Sequence, residues 1–192
     1  MMALFEGVKT CVGWGEADQT RIAELRACLN SREADVVGAL GEQLAQLRDI
    51  QPLMSNARFV TRLYSVLHEW LMGLLDGSLN GERAKERRAF VRKLTDVDLT
   101  FEDVILLDGL ARRQLFELVR EQLSSSDSQS AMMYTLDKAL TLDLVLIYSG
   151  YCYIRDAEME RALLDRFIKV TGFSRTLYDN LAEAQGHGSV AQ

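Results

Sequence analysis

Proline, cysteine and histidine are all scarce in this chain of 192 residues. Proline occurs once, at Pro52. Because long helices tolerate little proline whereas turn-rich β domains use more of it, this scarcity favours an all-α fold. The three cysteines, Cys11, Cys28 and Cys152, are widely spaced and form no CxxC pair, so the sequence predicts neither a disulfide framework nor a zinc site. Free thiols are typical of a reducing compartment, and we expect a cytoplasmic location.

Motifs for catalysis are also missing. The chain contains no GxGxxG, GxxxxGK[ST], HExxH or GxSxG pattern. Its two histidines are His68, at the edge of an apolar helix stripe, and His187, in the polar C-terminal tail. They leave little for Ser-His or Cys-His catalysis. We therefore expect that the protein is not an enzyme and holds no metal ion.

Positive charge and long apolar runs are scarce as well. Acidic residues outnumber basic ones by 28 to 22, which argues against a general nucleic-acid binder because affinity for phosphates comes from positive charge. The basic run from Arg83 to Lys93 has two acidic residues, Glu82 and Glu86, at ion-pair spacing, a pattern typical of a solvated helix face. The richest apolar stretch, 139–154, is shorter than the roughly 20 residues that cross a bilayer. We expect no membrane span.

Apolar residues recur at helical spacing through most of the chain. Helices are predicted at about 16–30, 31–49, 57–76, 82–97, 100–123 and 130–168. The last of these is far longer than an average helix of about 11 or 12 residues. A helix that long usually needs a partner, so the sequence predicts packing between helices as the main architecture.

Three segments together resemble one known family. The first runs from Trp70 and Leu71 to Gly77, then through an arginine-rich helix to the turn 97–99. The second is the opening Trp-Gly-Glu-Ala-Asp at 14–18, and the third is the apolar-Leu-Asp-Leu run that leads to Tyr151. In order and spacing they are similar to the globin-coupled sensors and protoglobins, over residues 14 to 168. The resemblance implies an all-α, globin-like sensor domain.

The same resemblance locates the haem site of the family. Its iron-binding histidine corresponds to Leu94 here, and the tyrosine that lies over the bound gas corresponds to Gly41. Val91 and Asp98 stand at two positions where the family has glycine. Because an aliphatic side chain has no lone pair for iron, we expect no haem and no other cofactor. The predicted pocket residues are Leu40, Leu44, Leu67, Trp70, Leu71, Phe90, Leu94 and Leu115.

The family also implies an assembly and a division of the chain. Its members pair through their last two long helices into a dimeric four-helix bundle. The interface residues predicted here are Leu140, Leu144, Ile147 and Tyr151. We expect a flexible arm at 1–13, the sensor domain at 14–170, and a short helix with a polar tail at 171–192. That tail would lead toward a C-terminal output or stressosome-type partner domain.

Three functions stay open from the sequence. The first is a non-haem sensory input domain that responds to an apolar ligand, such as a fatty acid, or to a partner, and signals through its dimer helices. The second is a haem-binding gas sensor with an unusual iron ligand. The third is a structural dimerisation or docking module.

Overall fold

A computed structural model describes residues 2–29, 32–77, 81–172 and 176 of the chain. Within these residues every regular element is helical and no strand occurs, which confirms the all-α prediction. A 3-10 helix, Gln51–Ser55, lies between the third and fourth α-helices. The α-helices are α1 Met2–Cys11, α2 Glu16–Leu29, α3 Glu33–Leu44, α4 Ala57–Leu74, α5 Gly81–Thr95, α6 Phe101–Gln122 and α7 Ser126–Thr171.

Local sequence sets several of these helix ends. Asn56 caps α4, accepting hydrogen bonds from the backbone N–H groups of Arg58 and Phe59. Thr100 and Asp103 form a reciprocal capping box at the start of α6. Gly77 follows α4 with a φ of 72°, a left-handed conformation that glycine adopts without steric cost.

The chain divides into two compact units, residues 1–151 and 152–192, rather than into one domain over 14–170. The first unit holds the apolar core, which includes the fully buried Leu40, Leu63 and Leu107. The division falls inside α7, whose buried positions end at Gly150. Beyond it the helix is largely charged and carries exposed apolar side chains such as Leu163 and Val170.

The N-terminal segment was expected to be a flexible arm, and that expectation is wrong. Residues Met2–Cys11 form α1, and Phe5 is only 1% exposed. Removing an aromatic ring from water stabilises the segment against the rest of the first unit. The short helix and polar tail expected at 171–192 lie outside the described residues, apart from Thr171, Gly172 and Thr176. No helix in the described part of the chain combines the length and apolar character that crossing a bilayer requires.

A buried carboxylate connects α2 to α7. Asp18 is 4% exposed and accepts hydrogen bonds from Thr135 Oγ1 at 2.7 Å, Lys138 Nζ at 3.0 Å and Gly15 N at 3.0 Å. Burial raises the pKa of Asp18, but these hydrogen bonds together outweigh it and hold the pKa below its ordinary value. The charged carboxylate is therefore the form that the fold favours.

Candidate functional site

All eight residues predicted to line the pocket are buried. Leu94 on α5 is completely buried, and Phe90, one turn earlier, is 6% exposed. Trp70 on α4 is 1% exposed. The other five, which are also completely buried, are Leu40, Leu44, Leu67, Leu71 and Leu115. The inward orientation predicted for Leu94 is confirmed.

A tyrosine from α4 fills the space beside Gly41. A Cβ atom added to Gly41 would lie 2.5 Å from Tyr64 Cζ and 2.8 Å from Tyr64 Oη. No side chain fits at position 41 unless the Tyr64 ring moves. The chain thus places a phenol next to the position where the family resemblance locates a tyrosine, but from a different helix. Tyr64 is not predictable from the sequence, because helical spacing alone does not show which helix faces Gly41.

An ion pair between Arg87 on α5 and Asp143 on α7 lies in the core. Each residue is 4% exposed. Arg87 Nε donates to Asp143 Oδ1, and Arg87 Nη2 donates to Oδ2 at 2.8 Å. Trp70 Nε1 donates to the same Oδ2 at 3.0 Å, and the Trp70 carbonyl accepts from Arg87 Nη2 at 3.1 Å. One polar network therefore joins α4, α5 and α7.

The surroundings of the Arg87 guanidinium explain how it is accommodated. A Cβ on Gly73 would lie 2.5 Å from Arg87 Nη1, so the absence of a side chain lets the guanidinium lie against α4. Its Cζ atom lies 5.1 Å from the centre of the Phe90 ring, within range of a cation–π interaction. The basic stretch was predicted to be a solvated face, which is wrong for Arg87. The reason is Asp143, whose buried charge requires a compensating cation.

In the turn after α5 the backbone adopts a left-handed conformation, which glycine favours. Asp98 has a φ of 56° although it is not glycine. The hydroxyl of Tyr151 on α7 donates to the carbonyl of Leu99, in the same turn, at 2.7 Å. One turn of α5 also lies very close to α7, because a Cβ on Gly150 would lie 2.7 Å from the Arg88 carbonyl oxygen and closer still to Val91 Cγ2.

Comparison with known proteins identifies the family. The model of the protoglobin family matches residues 1–157. The chain belongs to the protoglobin family. Its fold is similar to the globin domain of a globin-coupled sensor from Geobacter sulfurreducens, with a TM-score of 0.68 and 12% identity over 76% of this chain and 96% of that one. No curated protein matches the chain in sequence.

The globin fold implies haem, whose iron takes an axial ligand from the protein. At the position where the resemblance places that ligand, this protoglobin-family chain has Leu94, whose side chain contains only carbon and hydrogen. His68 has a side chain 53% exposed, and its Nε2 contacts the Glu33 carboxylate. Cys152 lies in the second unit, and His187 lies outside the described residues. The residues at the ligand position therefore do not fit a haem held from the α5 side.

The dimer-interface prediction fails for two of its four residues. Leu140 and Ile147 are completely buried within the single chain, so neither side chain is free to line a surface between two copies. Leu144 and Tyr151 are half-buried. Helical spacing on α7 identified apolar positions correctly but did not separate its inner face from its outer one.

Apolar side chains that the protoglobin domain does expose lie on α6 and α7. Ile105 is 49% exposed, Leu106 41% and Tyr148 49%. The rings of Phe101 and Tyr148 lie 5.0 Å apart, so the start of α6 is beside this part of α7. No cluster of His, Cys, Asp and Glu side chains able to hold a metal ion occurs among the described residues.

Proposed function

We propose that this chain is a sensory input domain of a bacterial signalling protein and that it works without a haem held by a protein side chain. The proposal rests on Leu94, which is buried and stands where the family resemblance places the iron-binding histidine. Membership of the protoglobin family and the likeness to a sensor globin domain support the sensory role. The role proposed is binding rather than catalysis, and the three free cysteines support a cytoplasmic setting.

The proposed signal is an apolar ligand, such as a fatty acid, or a partner protein. Six of the eight pocket residues are leucines, which suit an apolar molecule better than a polar one. The helices α4 and α5 carry most of these pocket residues. Arg87 on α5 forms an ion pair with Asp143 on α7, and Trp70 on α4 donates to the same carboxylate. A shift of α4 or α5 would therefore separate a buried ion pair unless α7 followed.

Long-range signalling is assigned to α7. This helix continues to Thr171. We propose that it carries a change in the packing of the first unit to a C-terminal output or stressosome-type partner domain as a shift between two populations.

A homodimer is the proposed state. The exposed residues Ile105, Leu106 and Tyr148 form an apolar face on α6 and α7 that a second copy could cover, giving a four-helix bundle. Ile105→Asp would bury an unpaired charge there and should produce monomers. Thr61→Asp, on an exposed part of α4, is the matched control. Light scattering that finds a wild-type monomer at micromolar concentration, or a dimer that Ile105→Asp leaves intact, would contradict this assembly.

One observation favours the alternative of a haem-binding gas sensor. The phenol of Tyr64 lies beside Gly41, and tyrosine serves as an iron ligand in some haem proteins. In that case haem would bind the wild-type protein and Tyr64→Phe would release it.

Haem titration of three variants separates the two functions. We expect the wild type and Tyr64→Phe to show no Soret band of bound haem, and Leu94→His, which supplies an imidazole ligand, to gain one. Leu94→Met, which adds a thioether at similar volume, controls for packing. A wild-type Soret band that Tyr64→Phe abolishes would replace the non-haem proposal with the gas sensor.

A further inference from the structure

A cavity of about 410 Å³ lies between α2, the end of α6 and the start of α7. Its volume is within the range of roughly 300–1,000 Å³ that is typical of small-molecule sites. None of the eight residues predicted for the globin pocket borders it. The residues that border it on α2 are Arg21, Glu24, Leu25 and Cys28, which share one helix face.

The cavity has an apolar floor and a polar mouth. Leu25, Val119 and Met132 border it and are at most 5% exposed. The exposed carboxylates of Glu24 and Asp127 border it from α2 and α7. Such a floor accepts an aliphatic body, because a ligand there removes apolar surface from water on both sides.

The charges at the mouth favour a cationic head group. Arg21 lies 3.6 Å from the Asp18 carboxylate and donates to Thr135 Oγ1 at 3.4 Å, so its charge already faces an anion. Glu24 and Asp127, in contrast, take part in no ion pair within the described part of the chain. A ligand with a positive charge would meet two carboxylates at the mouth, whereas a ligand carboxylate would be repelled by them.

We propose that this cavity is a binding site for a small amphipathic molecule with an aliphatic body and a cationic, amine-type head. The site is separate from the globin pocket, and binding to it does not depend on whether the domain holds haem. Cys28 on the cavity wall offers a direct readout, because a ligand seated against it should slow the reaction of its thiol.

The test uses the full chain with Cys11→Ser and Cys152→Ser, which leaves Cys28 as the only thiol. Octylamine, octanoate and 1-octanol at pH 7 serve as probes of equal chain length and different charge. We expect octylamine to slow the reaction of Cys28 with a thiol reagent and to bind about fivefold more tightly than 1-octanol, the scale of one or two partly exposed ion pairs. Octanoate should bind more weakly than either.

Substitutions test whether the protection of Cys28 by octylamine depends on the cavity. Met132→Trp and the milder Ala131→Leu should both fill the cavity and remove protection by octylamine. Glu24→Gln with Asp127→Asn should reduce octylamine to the affinity of 1-octanol, whereas Glu42→Gln, which does not border the cavity, should leave the preference unchanged. Protection by none of the probes, equal protection by octylamine and octanoate, or protection that survives Ala131→Leu would each overturn the proposal.

Discussion

Removal of the negative charge at Asp143 should destabilise the fold severely. We expect Asp143→Asn to lower the free energy of unfolding by about 3–5 kcal/mol, the cost of leaving a buried charge without its partner. Arg87 is only 4% exposed, so water cannot take over the role of the carboxylate. The substitution preserves the shape of the side chain, and the effect therefore reports on charge and hydrogen bonding rather than on packing.

The hydrogen bonds to Asp143 predict a similar loss of unfolding free energy. The carboxylate accepts two bonds from Arg87 and one from Trp70. An asparagine amide accepts through its oxygen only, so at least one of these donors loses its partner. Hydrogen bonds to charged groups contribute roughly 1.5–3 kcal/mol each, and losing one or two of them gives a loss of the same order.

Urea unfolding followed by fluorescence is the assay, since Trp70 lies in the network. The double variant Arg87→Met with Asp143→Leu is the control, because removing both charges leaves no unpaired ion and should recover much of the lost stability. A loss below about 1 kcal/mol for Asp143→Asn, or a double variant less stable than the single one, would refute the reasoning.

Three further substitutions test other parts of the fold. Asp98→Gly should raise the unfolding free energy by up to about 1 kcal/mol by relieving the left-handed conformation, whereas Asp96→Gly should not. Asp18→Asn should cost about 1–3 kcal/mol at pH 7. Because the pKa of Asp18 is lowered by folding, its contribution is present above the unfolded pKa of about 4 and is lost as pH falls through the folded pKa, so wild type and variant should converge in acid. Gly150→Ala should cost about 1–3 kcal/mol through the clash with Val91 and Arg88, whereas Gly38→Ala, with open space around it, should be neutral or stabilising. Thermal or urea unfolding measures each difference, and a Gly150→Ala variant as stable as the wild type would show that α5 and α7 do not approach so closely.

Helical periodicity predicted most of the fold. The low proline content and the recurrence of apolar residues predicted the all-α class and placed the ends of the six main helices to within about five residues, the largest error being at the end of α3. The exception was α1, a helix that the sequence analysis assigned to an arm and in which Phe5 is buried. Burial of one side chain against distant residues is a tertiary effect, which a local pattern does not contain.

The polar features of the site were harder to predict for the same reason. The sequence shows that Asp143 interrupts the most apolar stretch, but Arg87 is one of several basic residues on α5. Only the packing of Gly73 and Trp70 against Arg87 distinguishes it from the others. Similarly, helical spacing places Leu140 and Ile147 among the apolar positions of α7 but does not show which face of the helix packs inward. Both residues lie on the inward face and are buried in the core.

Haem reconstitution of the wild-type protein tests the central proposal most directly. One equivalent of haem is added to the purified chain, free haem is removed by gel filtration, and absorbance in the Soret region is recorded together with protein concentration. We expect the protein to elute without bound haem, because Leu94 offers the iron no ligand. A stable Soret band corresponding to one haem per chain would contradict the proposal and identify the domain as a haem-binding gas sensor.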